Sequence, residues 1–214
     1  MMKYSIIPVT DLQQNCTLLW CEETNKAAVI DPGDDLQPIM QSINEHKVDV
    51  EKILITHAHF DHAGGAYELA TILNVEIEGP HIADQPLVEG LSAQAERWGF
   101  PPVTTFSPKR WLQQDEKVSV GNLQLDVLHC PGHTPGHIVF FHAESQLAIV
   151  GDVLFKGSIG RTDFPLSNHQ DLIDSIKNRL WTLGDDVTFL PGHGPRSTIG
   201  DERRTNPFVG DQVI

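Results

Sequence analysis

The chain alternates short apolar, β-branched runs with segments in which apolar residues recur at helical spacing. The run at residues 27–30 is typical of a strand, because it ends at the turn-forming residues 31–33. Residues 34–46 are typical of a helix, with an acidic first turn followed by Leu36, Ile39 and Ile43 on one face. Up to residue 98, the patterns predict strands at 4–9, 16–21, 27–30, 53–56 and 75–78, and helices at 34–46, 66–73 and 82–98.

Strand patterns dominate again after a proline-rich segment, residues 99–114, that is predicted to be a loop. The later elements are predicted strands at 118–120, 123–128, 138–142, 147–150 and 187–190, and a helix at 171–183. Two β-rich halves that pack face to face, with helices on the outer faces, satisfy this order. We therefore favour an α+β fold, a four-layer αββα sandwich with residues 1–214 as a single domain. The pattern alone also allows another one-domain α/β or α+β arrangement.

Composition narrows the class of protein. The 214 residues are 40% hydrophobic and 21% charged, as in ordinary globular proteins. Lys and Arg total 15 against 29 Asp and Glu, so the net charge of −14 argues against nucleic-acid and anionic membrane partners. No apolar run approaches the roughly 18 residues of a spanning helix, and the first residues lack a secretory pattern. The 3 cysteines do not suggest a disulfide framework, so we expect a cytoplasmic protein.

Histidine carries the chemical signal, because several of the 11 histidines stand in Gly- and Pro-rich clusters at the ends of predicted strands. Residues two apart in an extended segment point the same way, so His57 and His59 can bind one metal ion. Asp61 and His62 lie around the bend and can face a second ion. This spacing suits two metal ions better than one.

Further candidate ligands follow other predicted strands next to glycine or proline, and they are His133, Asp152 and His193. Strand ends gather at one edge of a sheet sandwich, so we expect these side chains to join the first cluster. The first predicted metal site consists of His57, His59, His133 and Asp152. The second predicted site consists of Asp61, His62, His193 and the same Asp152, which bridges the two.

Nitrogen and oxygen ligands of this kind suit zinc and tolerate iron or manganese, so we expect two divalent metal ions that share a water. Metal binding lowers the pKa of water to roughly 7 in the best case and polarises a carbonyl group, which predicts hydrolysis. Asp152, as the bridge, and Asp61, as a ligand that also steers protons, are the predicted catalytic residues.

Other candidate signals are weaker. His137 is expected to orient a ligand or to pack in a strand, and Cys130 to be a small buried residue, because a second Cys/His pair for a structural zinc is absent from the sequence. The sequence contains neither a Gly-x-Ser-x-Gly nucleophile elbow nor a phosphate-binding P-loop. The remaining histidines are expected to be packed or solvated, namely His46, His81, His129, His142 and His169.

The string His-x-His-x-Asp-His at residues 57–62, followed in order by His133, Asp152 and His193, resembles the metallo-β-lactamase superfamily. The resemblance spans nearly the whole chain. It implies an αββα sandwich with a dinuclear metal site at the edge between two sheets.

Two further stretches, residues 130–136 and 157–164, resemble the glyoxalase II (hydroxyacylglutathione hydrolase) and persulfide dioxygenase branch of that superfamily. Residues 192–195 and the tail at 202–207 are similar to the small bacterial YcbL-type group within it. Dizinc β-lactamases lack a histidine matching His62 and use a cysteine near the position of Asp152, so the resemblance disfavours antibiotic hydrolysis.

The glyoxalase II likeness implies a small-molecule thioester substrate such as S-lactoylglutathione, hydrolysed to D-lactate and glutathione. The thiol leaves without a strong acid, because its pKa is about 8 to 9. Full-length glyoxalase II carries an additional C-terminal helical domain that helps to hold glutathione, which we do not expect here. Candidate substrate-binding residues are Lys156, Arg161 and Arg196.

Three alternatives remain open at this point. A mononuclear persulfide dioxygenase would hold iron through His57, His133 and Asp152, although the branch usually has an acidic residue and a tyrosine where this chain has residues 194–195, Gly-Pro. A lactone hydrolase would use the same activated water. A non-catalytic metal-binding module would normally close its zinc site with four ligands, unlike this set. The expected oligomeric state is a monomer or a weak homodimer.

Overall fold

The computed structural model describes residues 1–213, whose strands form two main sheets. The strands of the first sheet are β1 (Met2–Val9), β2 (Gln14–Cys21), β3 (Lys26–Ile30), β4 (Asp49–Leu54) and β5 (Glu76–Glu78). They pair in the order β1-β2-β3-β4-β5, antiparallel up to β3 and parallel from β3 to β5. Strand β4, which was predicted at 53–56, begins four residues earlier than predicted and ends at Leu54.

The second sheet is built from the later part of the chain. The remaining strands are β6 (Lys117–Val120), β7 (Leu123–His129), β8 (Ile138–His142), β9 (Leu147–Gly151), β10 (Leu154–Phe155), β11 (Ser158–Ile159), β12 (Thr188–Pro191) and β13 (Ser197–Thr198). The sheet order is β13-β12-β9-β8-β7-β6, with only β12 and β9 parallel, while β10 and β11 form a separate hairpin. Strands β10, β11 and β13 were not predicted, because two residues are too short to show an alternating pattern.

Helices lie outside the sheets. They are α1 (Leu36–His46), α2 (Phe60–Ala63), α3 (Ala66–Leu73), α4 (Gln85–Glu89), α5 (Leu91–Arg97), α6 (His169–Ser175) and α7 (Ile199–Thr205). Helix α6 continues as a π-helical segment, Ile176–Leu180, and a 3-10 turn, Trp181–Leu183. No helix within residues 1–213 has both the length and the apolar character needed to cross a lipid bilayer.

Two helix predictions need correction. The helix predicted over 82–98 is broken into a 3-10 turn and the helices α4 and α5, which meet at Gly90. Helix α6 starts at His169 instead of 171, because the Asn168 side chain accepts hydrogen bonds from the amides of the first turn and caps it. Helix α7 was not predicted.

The apolar residues form three separate layers of core. Adjacent residues of one strand point to opposite faces, so Leu18 of β2 packs with Ile39 of α1, while Leu19 packs between the sheets. In the second sheet, Phe140 faces the first sheet and Val139 faces the helices α6 and α7. The four layers of the structure are thus helices, the first sheet, the second sheet and helices. This confirms the prediction of an α+β fold with an αββα sandwich.

Candidate metal centre

The seven predicted metal ligands come together at one edge of the sandwich. His57 and His59 follow strand β4, and Asp61 and His62 lie on the short helix α2. The second sheet supplies the other three from the segments after β7, β9 and β12, and they are His133, Asp152 and His193. The site is therefore assembled from strand ends of both sheets.

One group of donors consists of His57, His59 and His133, whose candidate ligand atoms all lie within 4.8 Å of one another. His133 Nε2 is 2.9 Å from His59 Nδ1 and 3.5 Å from Asp152 Oδ2. These atoms match the first set of ligands predicted from the sequence.

A second group consists of Asp61, His62 and His193, again within 4.8 Å of one another. His193 Nε2 is 3.2 Å from Asp61 Oδ2. The Asp152 carboxylate lies between the two groups, with Oδ1 3.4 Å from His62 Nε2 and Oδ2 3.8 Å from His193 Nε2. Its two oxygens therefore face donors of both groups, as the predicted bridge requires.

Three buried atoms at the centre have no hydrogen-bond partner within residues 1–213, namely His57 Nε2, His62 Nε2 and Asp152 Oδ1. Unpartnered buried polar atoms destabilise a fold, so a cluster of them indicates a ligand that pairs with them. Imidazole nitrogens and carboxylate oxygens are ligands for divalent transition metals. The residues present therefore fit divalent metal binding.

Hydrogen bonds on the outer side fix several imidazole rings. His62 Nδ1 is 3.0 Å from Asp31 Oδ2, an oxygen that also accepts from Thr56 Oγ1 at 2.6 Å. His133 Nδ1 donates to the backbone oxygen of Arg161 at 2.8 Å, and His193 Nδ1 donates to that of Leu12 at 3.2 Å. In each ring this leaves Nε2 directed at the centre, which is how proteins orient metal-binding histidines.

Burial lowers the pKa of His57 and His133, and that of His59 to about 3, so these rings are neutral. Burial alone would raise the pKa of Asp152, but the adjacent His62 ring lowers it well below its ordinary range. In turn, Asp152 raises the pKa of His62 against the effect of burial. Neutral histidines and ionised carboxylates are the forms that bind metal ions, so His57, His59, His133 and Asp152 already have them, whereas His62 must lose its proton when an ion binds.

A sequence model of the metallo-beta-lactamase superfamily matches residues 9–193, which contain both groups of donors. The chain belongs to this superfamily. The resemblance inferred from the histidine and aspartate residues is thus confirmed.

This member of the superfamily is 45% identical over 212 residues to "Hydroxyacylglutathione hydrolase GloC" of Haemophilus influenzae, covering 99% of this chain and 100% of the relative. Among solved structures, it is similar to BLEG-1, described as a B3 metallo-beta-lactamase, with a TM-score of 0.88, 31% identity and coverage of 98% and 99% of the two chains. It is also similar to TTHA1623 in a di-iron-bound form, with a TM-score of 0.87, 37% identity and coverage of 95% and 99%.

The parts that Asp31 and Gly192 play at the centre were not predicted from the sequence. Asp31 was interpreted only as part of a turn, although an aspartate at a strand end was the signal that singled out Asp152. Gly192 lies so close to the centre that a Cβ atom there would overlap Asp152 Oδ1 and crowd His62.

Two residues with weaker sequence signals lie near the centre or in the core. His137, considered as an orienting residue, accepts a hydrogen bond at Nε2 from the Asp152 amide at 3.0 Å. Cys130 is buried in the outer core, as expected.

The candidate substrate residues fall in two places. Arg161 lines a cavity of about 580 Å³ that also contains His59, Asp152 and other ligands of the centre. Lys156 and Arg196 line a different cavity, whose lining includes none of the seven predicted ligands, and Arg196 donates to the Tyr4 hydroxyl at 3.1 Å. The structure therefore brings only Arg161 of the three beside the metal centre.

Proposed function

We propose that this protein is a metal-dependent hydrolase that cleaves a thioester, with S-lactoylglutathione as the leading substrate and D-lactate and glutathione as products. The observation that carries the proposal is the convergence of two donor groups on the Asp152 carboxylate, at the wall of an open cavity. The 45% identity to a relative named hydroxyacylglutathione hydrolase supports the substrate class.

The proposed metal ligands are those predicted from the sequence. His57, His59, His133 and Asp152 would hold one ion, and Asp61, His62, His193 and Asp152 the other. We propose zinc as the metal, with iron or manganese as substitutes, and the likeness to a protein solved in a di-iron form supports a two-metal site. When bound, such ions lower the pKa of a shared water and polarise the carbonyl group of the substrate.

The chain's own residues position the reaction. Asp31 and Thr56 hold the His62 ring, and the backbone oxygens of Arg161 and Leu12 hold His133 and His193. The Asp61 carboxylate stays ionised, because His62 lowers its pKa against the opposing effect of burial. A thiolate leaves without protonation by a strong acid, so the mechanism needs no further acidic group at the site.

Arg161 is the proposed contact for the substrate within the cavity. Its guanidinium lies over the Phe164 ring, 4.4 Å from the centroid, and both side chains line the cavity. Lys156 and Arg196, in the other cavity, are proposed to matter less for this reaction.

The proposal is tested by following thiol release from S-lactoylglutathione with protein reconstituted separately with zinc, iron and manganese. Asp152→Ala is expected to lose metal and at least about a hundredfold in kcat/KM. The control is Asp174→Ala on the exposed side of α6, which should retain full activity. Oxygen uptake on glutathione persulfide without thiol release would contradict the proposal in favour of an iron dioxygenase. Turnover of only a lactone or a β-lactam would replace the substrate class.

A further inference from the structure

One wall of the cavity beside the metal centre is a helical arm, residues 85–98, formed by α4, α5 and Trp98. Leu87, Gln94, Arg97 and Trp98 of this arm line the same cavity as five of the seven predicted ligands, namely His59, Asp61, His133, Asp152 and His193. The arm therefore borders the space that a substrate bound at the centre would occupy.

The arm is fixed to the segment that carries the first ligands. The Gln94 side-chain amide donates to the backbone oxygen of Ala58 at 3.1 Å and to that of Leu87 at 2.8 Å. Ala58 lies between His57 and His59, so the hydrogen bond ties α5 directly to the metal-binding loop. The rings of Phe60 and Phe100, with centroids 5.1 Å apart, add an apolar contact. Side chains on the arm thus have a defined position relative to the centre.

The two cations that line the cavity differ in their pairing. Arg161 donates two hydrogen bonds to the Asp163 carboxylate, at 2.9 and 2.7 Å, which neutralises its charge. The guanidinium of Arg97 forms no ion pair or hydrogen bond with any of residues 1–213. In a chain with a net charge of −14, this leaves Arg97 as a local cationic group at the wall of the cavity.

The rest of the cavity wall is largely apolar. Trp98 remains 51% exposed, although a large aromatic side chain is normally buried, and Leu87, Phe155 and Phe164 complete the surface. Exposed aromatic side chains grouped around a cavity are typical of ligand sites. The wall therefore suits a ligand with a carbon chain between its reacting group and a charged end.

Resting on the thioester hydrolysis proposed above, we propose that Arg97 binds an anionic group on the thiol half of the substrate, while Trp98 and Leu87 cover the chain that leads to it. The acyl half of a lactoyl thioester is neutral, so the anion must belong to the thiol half. A guanidinium pairs with a carboxylate or with a phosphate.

The test compares the lactoyl thioesters of three thiols: glutathione, which carries carboxylates; coenzyme A, which carries phosphates; and N-acetylcysteamine, which is neutral. With Arg97→Gln, KM should rise about tenfold for an anionic thioester, while kcat stays within about twofold. KM for the neutral thioester should not change. The matched control is Arg179→Gln. Arg179 is an exposed arginine in the segment that continues helix α6, and it does not line the cavity. A larger rise in KM with the glutathione thioester identifies the anion as a carboxylate. A larger rise with the coenzyme A thioester identifies it as a phosphate.

Failure of this inference and failure of the proposed function give different results. Equal KM values for wild type and Arg97→Gln with all three thioesters would overturn the role of Arg97 while leaving the hydrolysis intact. If no thioester is hydrolysed, the proposed function fails. The role of Arg97 is then tested by measuring ligand binding. Calorimetric titration with S-hexylglutathione, which cannot be hydrolysed, and with coenzyme A should then show about tenfold weaker binding of one of them for Arg97→Gln, and equal binding of both would overturn the role of Arg97.

Discussion

The backbone amide of Ala58 donates a hydrogen bond to Asp84 Oδ2 at 2.9 Å, so a carboxyl group outside the predicted ligand set holds the residue between His57 and His59. The same oxygen accepts from Thr134 Oγ1 at 2.9 Å, next to His133. Asp84 is fully buried. It therefore connects two ligand-bearing loops that come from different sheets.

Stability should depend on pH through Asp84. Burial raises its pKa to about 6, against the effect of its hydrogen-bond donors. Between about pH 4 and pH 6, the folded chain holds a proton that the unfolded chain has released, so stability is greatest at the acid end and falls as pH rises. Asp84→Asn cannot titrate. The wild-type free energy of unfolding, minus that of the variant, should fall across this range by up to about 3 kcal/mol.

Urea denaturation of chelator-treated protein at several pH values measures this difference, with Asp171→Asn, an exposed position on α6, as the control. A difference between wild type and Asp84→Asn that stays constant from pH 4 to pH 7 would show that Asp84 remains ionised in the folded chain.

Gly192→Ala should impair the metal centre more than the fold. The new Cβ would overlap Asp152 Oδ1 and lie 2.5 Å from His62 Cε1, so the bridging carboxylate must move. We expect kcat/KM for thioester hydrolysis to fall about a hundredfold. Gly184→Ala is the control, because open space surrounds that position and its φ of +110° limits the cost to backbone strain. If the two variants lose equal activity, the close approach of Gly192 to the ligands has no special role.

Asp31→Ala should weaken metal binding although Asp31 is not among the seven proposed ligands. Asp31 Oδ2 is 3.0 Å from His62 Nδ1, and its loss frees the ring to rotate away from the centre. Residues that support metal ligands in this way typically contribute 10–100-fold in affinity, so about that loss is expected in competition with a chromophoric chelator. Asp163→Ala, whose carboxylate pairs with Arg161 at the surface, is a comparison that should leave metal affinity unchanged. Retained affinity in Asp31→Ala would contradict the orienting role.

Metal removal should lower the thermal stability of the whole sandwich. Both sheets supply proposed ligands, so a bound ion would stabilise only the state in which the sheets are packed together. The midpoint of thermal unfolding, followed by circular dichroism, should fall after chelation and return when zinc, iron or manganese is added back. His57→Ala provides the comparison, because its stability should respond less to added metal. An unchanged midpoint in wild type would mean that ions do not bind this centre.

The metal centre was easier to predict than its supporting residues. His57, His59, Asp61 and His62 are close in sequence, and short spacing alone indicates a shared site. Asp84 is separated by 26 residues from Ala58 and by 52 from Gly136, whose amide also donates to it. Such a carboxyl group looks like any polar residue of a helical segment until the fold brings its partners together.

The role of the helical arm was not predicted either. Its periodicity predicted one helix over 82–98, whereas the structure breaks this segment at Gly90, a residue type with low helix propensity. Nothing in the sequence around Arg97 distinguishes it from an ordinary surface cation. The three core layers, in contrast, follow from strands that are apolar on both faces, as Leu18 and Leu19 show, and they agree with the sandwich favoured from the sequence, although the order of the strands was not predicted.

All strands of the first sheet precede all strands of the second along the chain, since β5 ends at Glu78 and β6 begins at Lys117. Four proposed ligands precede this connection and three follow it. A protein cleaved within residues 99–110 would therefore form the centre only by reassociation of two fragments, with neither fragment holding a complete ligand set. Apparent metal affinity would then depend on fragment concentration, and the ion would act as a cross-link between the halves.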